Sequence, residues 1–198
     1  MTLRRAAFLD RDGVINIDRG YVYRAEDFEF VSGVFEGAST LQRLGFSLIV
    51  ITNQSGIGRG LYSEIDLLAL NRWMINQFEL RSVRIDGVFY CPHHPTDALG
   101  SYRCECDCRK PAAGMLLRAA HELNLDLTRS AMFGDRASDL QAAAAAGVPL
   151  RYLLGTDGLL RPPPAEPPGL SLAEFAGLRE AALSDELSGA VTSLDGSQ

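Results

Sequence analysis

No apolar run in this 198-residue chain approaches the roughly 20 residues that span a bilayer. The apolar stretch after Arg4-Arg5 holds only about four residues before Asp10, against the ~7–15 of a signal-peptide core. A buried first strand is expected there, in a cytoplasmic protein. Positive charge is also short: 19 Lys and Arg stand against 25 Asp and Glu, for a net charge of −6. Such a chain has no electrostatic footprint for nucleic acid or an anionic membrane, and the expected partner is a small molecule. An anionic ligand would have to be held by local cations, helix N-termini or a metal. No internal repeat is present. The cysteines are few and not spread out: Cys91, Cys104, Cys106 and Cys108 fall within eighteen residues. A disulfide framework would staple distant segments. Crowding beside His93 and His94 points to a metal instead.

What is present is an alternation of periods. Residues 6–9, 47–52, 86–90, 130–133 and 148–154 read as strands, with 47–52 (SLIVIT) continuously apolar as in a strand buried on both faces. Residues 34–44, 112–124 and 137–146 read as helices, and Ser63 can cap another running to about Leu80. Alternating strand and helix implies an α/β fold, a three-layer Rossmann-like parallel sheet. Ligands of such sheets sit at the carboxyl ends of the strands. Asp10, Thr52, Cys91 and Asp135 all fall at predicted strand ends. Residues 1–160 are expected to form one domain containing a loop over 91–110. Residues 161–169 (RPPPAEPPG) read as a proline-rich linker, 170–185 as a strand and helix completing the domain, and 186–198 as a disordered tail.

Asp10 and Asp12 stand two apart after a buried strand and before Gly13, so one turn can aim both into a pocket. Paired carboxylates repel, and usually hold a metal or share a proton. Asp135 supplies a third. Hard oxygen ligands suit magnesium. The plain alternative is that Asp10 and Asp12 are solvated turn residues. For the cysteines, Cys91-Pro-His93 followed by twelve residues and Cys106-Asp-Cys108 gives C-x-H-x12-C-x-C, three thiolates and an imidazole suited to tetrahedral structural zinc. His94 and Cys104 are spare, and Cys104-x-Cys106 is locally as good a pair. The loop delivers Arg109 and Lys110 directly after Cys108.

The order of these motifs resembles the haloacid dehalogenase (HAD) phosphatase superfamily: Asp10-Arg11-Asp12-Gly13-Val14 for the first motif, Thr52 for the second, Lys110 for the third, and Gly134-Asp135 with Asp139 for the fourth. The resemblance implies a HAD-like fold and a phospho-aspartate mechanism. Asp10 would be the nucleophile and Asp12 the general acid and base, protonated at the start by virtue of a neighbouring carboxylate. Thr52 and Lys110 would bind phosphoryl oxygens. Magnesium would be held by Asp10, Asp135 and the Asp12 carbonyl, with Asp139 ordering its waters or capping a helix.

The runs FLDRDGVIN, RGYVY, DFEF, VITNQSGIGRG, YCPHHP, CDCRKP and GMLL resemble the D-glycero-D-manno-heptose 1,7-bisphosphate 7-phosphatases more specifically. That resemblance implies zinc on Cys91, His93, Cys106 and Cys108. It implies substrate contacts from Asp18, Arg19, Gly20, Tyr21, Asn53, Gln54, Ser55, Arg109 and Arg136, in a monomeric enzyme with a minimal cap. Arg136 departs from the family, which usually has lysine there. The alternatives are a histidinol-phosphate phosphatase, which typically has a shorter metal loop, another small sugar-phosphate phosphatase, and a catalytically silent zinc-stabilised binding protein.

Overall fold

The computed structural model describes residues 3–155, 172–175, 178–184, 187, 189 and 192–193. The expected linker 161–169 and most of the expected tail lie outside the described residues.

Six strands form one parallel sheet in the order β3-β2-β1-β4-β5-β6. They are β1 (Ala6–Leu9), β2 (Ser47–Asn53), β3 (Ile85–Cys91), β4 (Ala131–Gly134), β5 (Leu150–Leu154) and β6 (Leu172–Phe175). Between them run α1 (Val34–Arg43), α2 (Ser55–Gly58), α3 (Glu64–Glu79), α4 (Gly114–Leu123) and α5 (Ala137–Ala145), with α6 (Leu178–Leu183) after β6. Starting from β1, the chain builds outward through β2 and β3, then returns to β4 on the other side. The strand order therefore reverses between β1 and β4, where a crevice opens at the carboxyl ends.

The central strands are apolar on both faces because both faces are covered. Ala7, Leu9, Leu48, Val50 and Phe133 pack with α1, α3 and α6 through Leu41, Met74, Phe78 and Ala181. Ala6, Phe8, Ile49, Ile51 and Met132 pack with α4 and α5 through Met115, Leu116, Ala119 and Ala143. Phe8 is fully buried, and truncating such a side chain to alanine costs about 3–5 kcal/mol. Helix α3 starts as its sequence suggests. Ser63 Oγ accepts the Asp66 N–H at 3.2 Å, and Asp66 Oδ2 accepts the Ser63 N–H at 2.8 Å. Helix α4 starts two residues later than its apolar periodicity implies, at Gly114. The chain around Asp107 passes so close that a Cβ at 114 would lie 2.5 Å from the Asp107 carbonyl oxygen. Among the described residues, no helix is long and apolar enough to cross a membrane.

Candidate active site and metal-binding loop

The crevice forms a cavity of about 640 Å³, floored by residues at the ends of β1, β2 and β4. Asp10 follows β1. Its Oδ1 accepts the Arg11 N–H at 2.7 Å and lies 2.9 Å from Lys110 Nζ, which leaves Oδ2 for the cavity. The chain then turns tightly. Gly13 adopts φ +98°, and a Cβ there would fall 2.4 Å from Asp135 Oδ2, so only glycine lets the two acidic segments meet.

Lys110, the only lysine in the chain, is 4% exposed. Its Nζ donates to Ile51 O at 2.8 Å and sits 2.7 Å from Asp139 Oδ1. Asn53 fixes the lysine's backbone: its Nδ2 donates to Lys110 O and its Oδ1 accepts the Lys110 N–H, at 3.1 and 3.0 Å. Asp139 Oδ2 accepts the Arg136 N–H at 3.0 Å, so Asp139 serves both the start of α5 and the lysine.

The carboxylate oxygens of Asp10, Asp135 and Asp139 lie within 4.8 Å of one another. Three buried carboxylates face one buried ammonium. Burial pushes Asp10 up to about 8, helped by Asp139 and Asp135 and opposed by Lys110. Burial and then Asp139 raise Asp135 to about 6. Burial opposes the charge on Lys110, but Asp10 and Asp139 outweigh it and raise the lysine. These directions agree once the excess negative charge is counted: the lysine stays charged and the carboxylates hold back a proton. Asp135 Oδ1 is buried and has no hydrogen-bond partner among the described residues. Hard oxygen donors, one of them orphaned, fit a magnesium ion.

Asp12 is surrounded by donors, whereas the sequence reading placed a second carboxylate beside it. Its Oδ1 accepts from Arg11 Nη2 at 2.9 Å, Arg11 Nε at 3.3 Å and Asn16 Nδ2 at 3.1 Å. Its Oδ2 accepts from Gln54 Nε2 at 2.9 Å. The acidic cluster of the crevice comprises Asp10, Asp135 and Asp139 instead.

Thr52, Asn53, Gln54 and Ser55 line the cavity at the end of β2, and Asp18, Gly20 and Tyr21 line it from the loop after β1. Arg136 reaches across to Asp18, with Nη2–Oδ2 at 2.6 Å. Arg109 lines the wall and, among the described residues, donates only to the His93 carbonyl, at 3.2 Å. Arg19 is exposed, turned out to pair with Glu29, and does not line the cavity. The structure adds lining residues to which the sequence reading gave no role: Arg59, which lies within the VITNQSGIGRG run, Tyr62 and Ser138. Arg59 pairs with Asp97 at 3.0 Å and lies over the Tyr21 ring at 5.8 Å.

Beside the crevice, Cys91, His93, Cys106 and Cys108 converge. Cys108 Sγ is 3.1 Å from Cys91 Sγ, 3.3 Å from Cys106 Sγ and 3.3 Å from His93 Nδ1, and Cys91 Sγ is 3.6 Å from Cys106 Sγ. A tetrahedral zinc site has ligand–ligand edges of about 3.6–3.8 Å, so a four-coordinate ion fits with small relaxation. Cys104 stands outside the cluster. His94 is occupied otherwise, its Nδ1 accepting the Asp97 N–H at 2.9 Å.

A buried acid triad with one lysine, set at the carboxyl edge of a parallel sheet, defines a metal-assisted phosphohydrolase. The family model described as HAD-hydrolase-like matches residues 107–166. A D-glycero-beta-D-manno-heptose-1,7-bisphosphate 7-phosphatase of Vibrio cholerae is 52% identical over 151 residues, 76% of this chain and 81% of that one. One from Escherichia coli K12 is 46% identical over 157 residues, 79% of this chain and 82% of that one. The crystal structure of D,D-heptose 1,7-bisphosphate phosphatase from B. bronchiseptica, complexed with magnesium and phosphate, superposes with a TM-score of 0.72 at 30% identity, covering 90% of this chain and 96% of that one. The chain belongs to this heptose-bisphosphate phosphatase family of HAD-like hydrolases, and it is a phosphatase.

Proposed function

We propose that the chain removes the 7-phosphate of D-glycero-β-D-manno-heptose 1,7-bisphosphate through a phospho-aspartate at Asp10. The β anomer follows the names of the curated relatives. The observation that carries the mechanism is the Asp10–Lys110 contact beside the orphaned Asp135 Oδ1.

Asp10 Oδ1 is held by the lysine and the Arg11 N–H, so Oδ2 attacks phosphorus in line and the phosphorus–heptose oxygen bond breaks. Asp12 gives a proton to the departing oxygen, then takes one from the water that hydrolyses the phospho-aspartate. Lys110 and Thr52 bind the phosphoryl oxygens. Asp10, Asp135 and the Asp12 carbonyl would hold magnesium, and Asp139 fixes the lysine and the start of α5. When bound there, magnesium offsets the negative charge of the carboxylates and the transferring phosphoryl group.

A bisphosphate needs a second cationic site. Arg109, which among the described residues has no carboxylate partner, and Arg59 supply it from the cavity wall. Asp18, Gly20, Tyr21, Ser55 and Arg136 border the sugar. Zinc on Cys91, His93, Cys106 and Cys108 pins the loop that presents Arg109 and Lys110. Those thiolates suit a reducing, cytoplasmic setting.

The test is phosphate release from heptose 1,7-bisphosphate, histidinol phosphate and fructose 1,6-bisphosphate, with magnesium and with EDTA. Magnesium-dependent turnover strongest on the heptose supports the assignment. Preference for histidinol phosphate moves it to that class of substrate. No turnover by folded, metal-loaded protein favours a silent binding protein.

A further inference from the structure

Gln54 lines the cavity, yet its polar atoms face inward. It is 2% exposed, and its Nε2 donates to both Asp12 Oδ2 at 2.9 Å and Thr52 Oγ1 at 2.8 Å. Both amide hydrogens are therefore spent on the protein. Its Oε1 accepts the Tyr62 hydroxyl at 2.5 Å, and its backbone N–H donates to Cys91 O at 2.7 Å. The opposite amide orientation would turn an oxygen towards the Asp12 carboxylate, so Asp12 selects this one and the Tyr62 hydroxyl then donates to the oxygen that faces it.

Tyr62 is itself fixed. It is buried, and its ring stacks on Tyr23 at 5.0 Å and 8°. Gly56 makes room for it: a Cβ there would fall 2.2 Å from Tyr62 Cε1. Burial raises the Tyr62 hydroxyl to about 12, so it remains a donor at neutral pH.

The consequence falls on Thr52. Because Thr52 Oγ1 accepts from Gln54, its own hydrogen must point elsewhere, and among the described residues no protein acceptor takes it. The cavity is the remaining direction. We propose that Tyr62 and Gln54 are a positioning pair: Gln54 turns the Thr52 hydroxyl hydrogen towards the phosphoryl group and holds Asp12 Oδ2 at the departing oxygen, while Tyr62 locks the Gln54 amide. This rests on the phosphatase reading above, and it makes Gln54 a support of the machinery, where the family resemblance implies a substrate contact.

The test is steady-state kinetics of Tyr62→Phe, Gln54→Ala and the double variant in the full-length, magnesium-loaded protein, on heptose bisphosphate and on p-nitrophenyl phosphate. Tyr62→Phe keeps the stacked ring and removes only the hydroxyl. It should lower kcat on the heptose about five- to tenfold, in line with loss of one hydrogen bond, with KM within about twofold. The loss should be smaller on p-nitrophenyl phosphate, whose leaving group departs without a proton. Tyr62→Phe should cost nothing further in the Gln54→Ala background, because Tyr62 acts only through Gln54. An unchanged kcat with only a lower melting temperature would overturn the proposal. So would a raised KM at constant kcat, the mark of a substrate contact, or losses that simply add. If the wild-type chain hydrolyses p-nitrophenyl phosphate but not the heptose, the substrate assignment fails. The coupling of Tyr62 and Gln54 is then read from the same variants on p-nitrophenyl phosphate.

Discussion

Lys110 Nζ lies 2.9 Å from Asp10 Oδ1, with the lysine side chain 2% and the aspartate side chain 9% exposed. The contact joins the metal loop to the end of β1 and places the chain's single lysine against the proposed nucleophile. Lys110→Met should therefore lower kcat about 100-fold or more, the usual cost of losing a preorganised donor to a transition-state oxygen. Without metal it should also destabilise the fold by about 3–5 kcal/mol, because Asp10 and Asp139 lose their buried counter-charge. Phosphate-release kinetics and urea unfolding in EDTA check the two effects separately.

The carboxylate cluster makes magnesium binding depend on pH. Asp10 at about 8 and Asp135 at about 6 both lie above the 3.8 of an unfolded aspartate. The folded, metal-free protein thus binds more protons than the unfolded chain between those values, and this cluster's contribution to stability falls as pH rises from about 4 to 8. The raised Lys110 adds stability that is fully present below 10.5 and is lost only at higher pH, outside that window. Magnesium displaces the protons, so its apparent affinity should climb from pH 6 to 8 and then level off. Titration calorimetry at pH 6, 7 and 8 should show this together with proton release, and a flat affinity would contradict it.

The sulfur cluster separates two neighbouring cysteines. Cys106→Ser should abolish stoichiometric zinc in the purified protein and lower its melting temperature by several degrees. Cys104→Ser should leave both unchanged, since Cys104 stands outside the cluster. Elemental analysis and thermal melts decide the point.

Arg59 is held by Asp97 on the metal loop and lines the cavity. Arg59→Ala should raise KM for the bisphosphate about tenfold, the loss of a charge-assisted contact, and leave KM for a monophosphate near its wild-type value. An equal change on both substrates would remove Arg59 from the distal phosphate.

Much of this was legible in the sequence because strand ends announce themselves. Continuous apolar runs broken by Asp10, Thr52 and Asp135 gave the parallel sheet and the edge where the crevice lies; crowding of cysteine and histidine pointed to a metal loop, and the family resemblance, not the spacing, picked out the four residues that converge. The spare His94 and Cys104 could not be told from ligands by spacing alone, and backbone geometry separates them. Side-chain direction was less legible. Arg19 sits within a motif run yet turns outward to Glu29. Asp12 faces Arg11, Asn16 and Gln54, and no local pattern shows that. Tyr62 and Arg59 reach the cavity only because α2 and the turn after it fold beneath the metal loop, where the Leu99 N–H donates to Gly58 O at 2.7 Å. The one signal that could have found Tyr62 was Gly56, a glycine inside a short helix with an aromatic six residues on.

The central claim is that Asp10 carries the phosphoryl group. The most direct measurement is an acid-quenched single turnover with heptose bisphosphate labelled at the 7-phosphate, followed by peptide mapping. The account predicts transient label on the peptide containing Asp10, none without magnesium, and none in Asp10→Asn, which should also lose turnover. Full-rate turnover in Asp10→Asn, or label on a peptide that lacks residue 10, would contradict it.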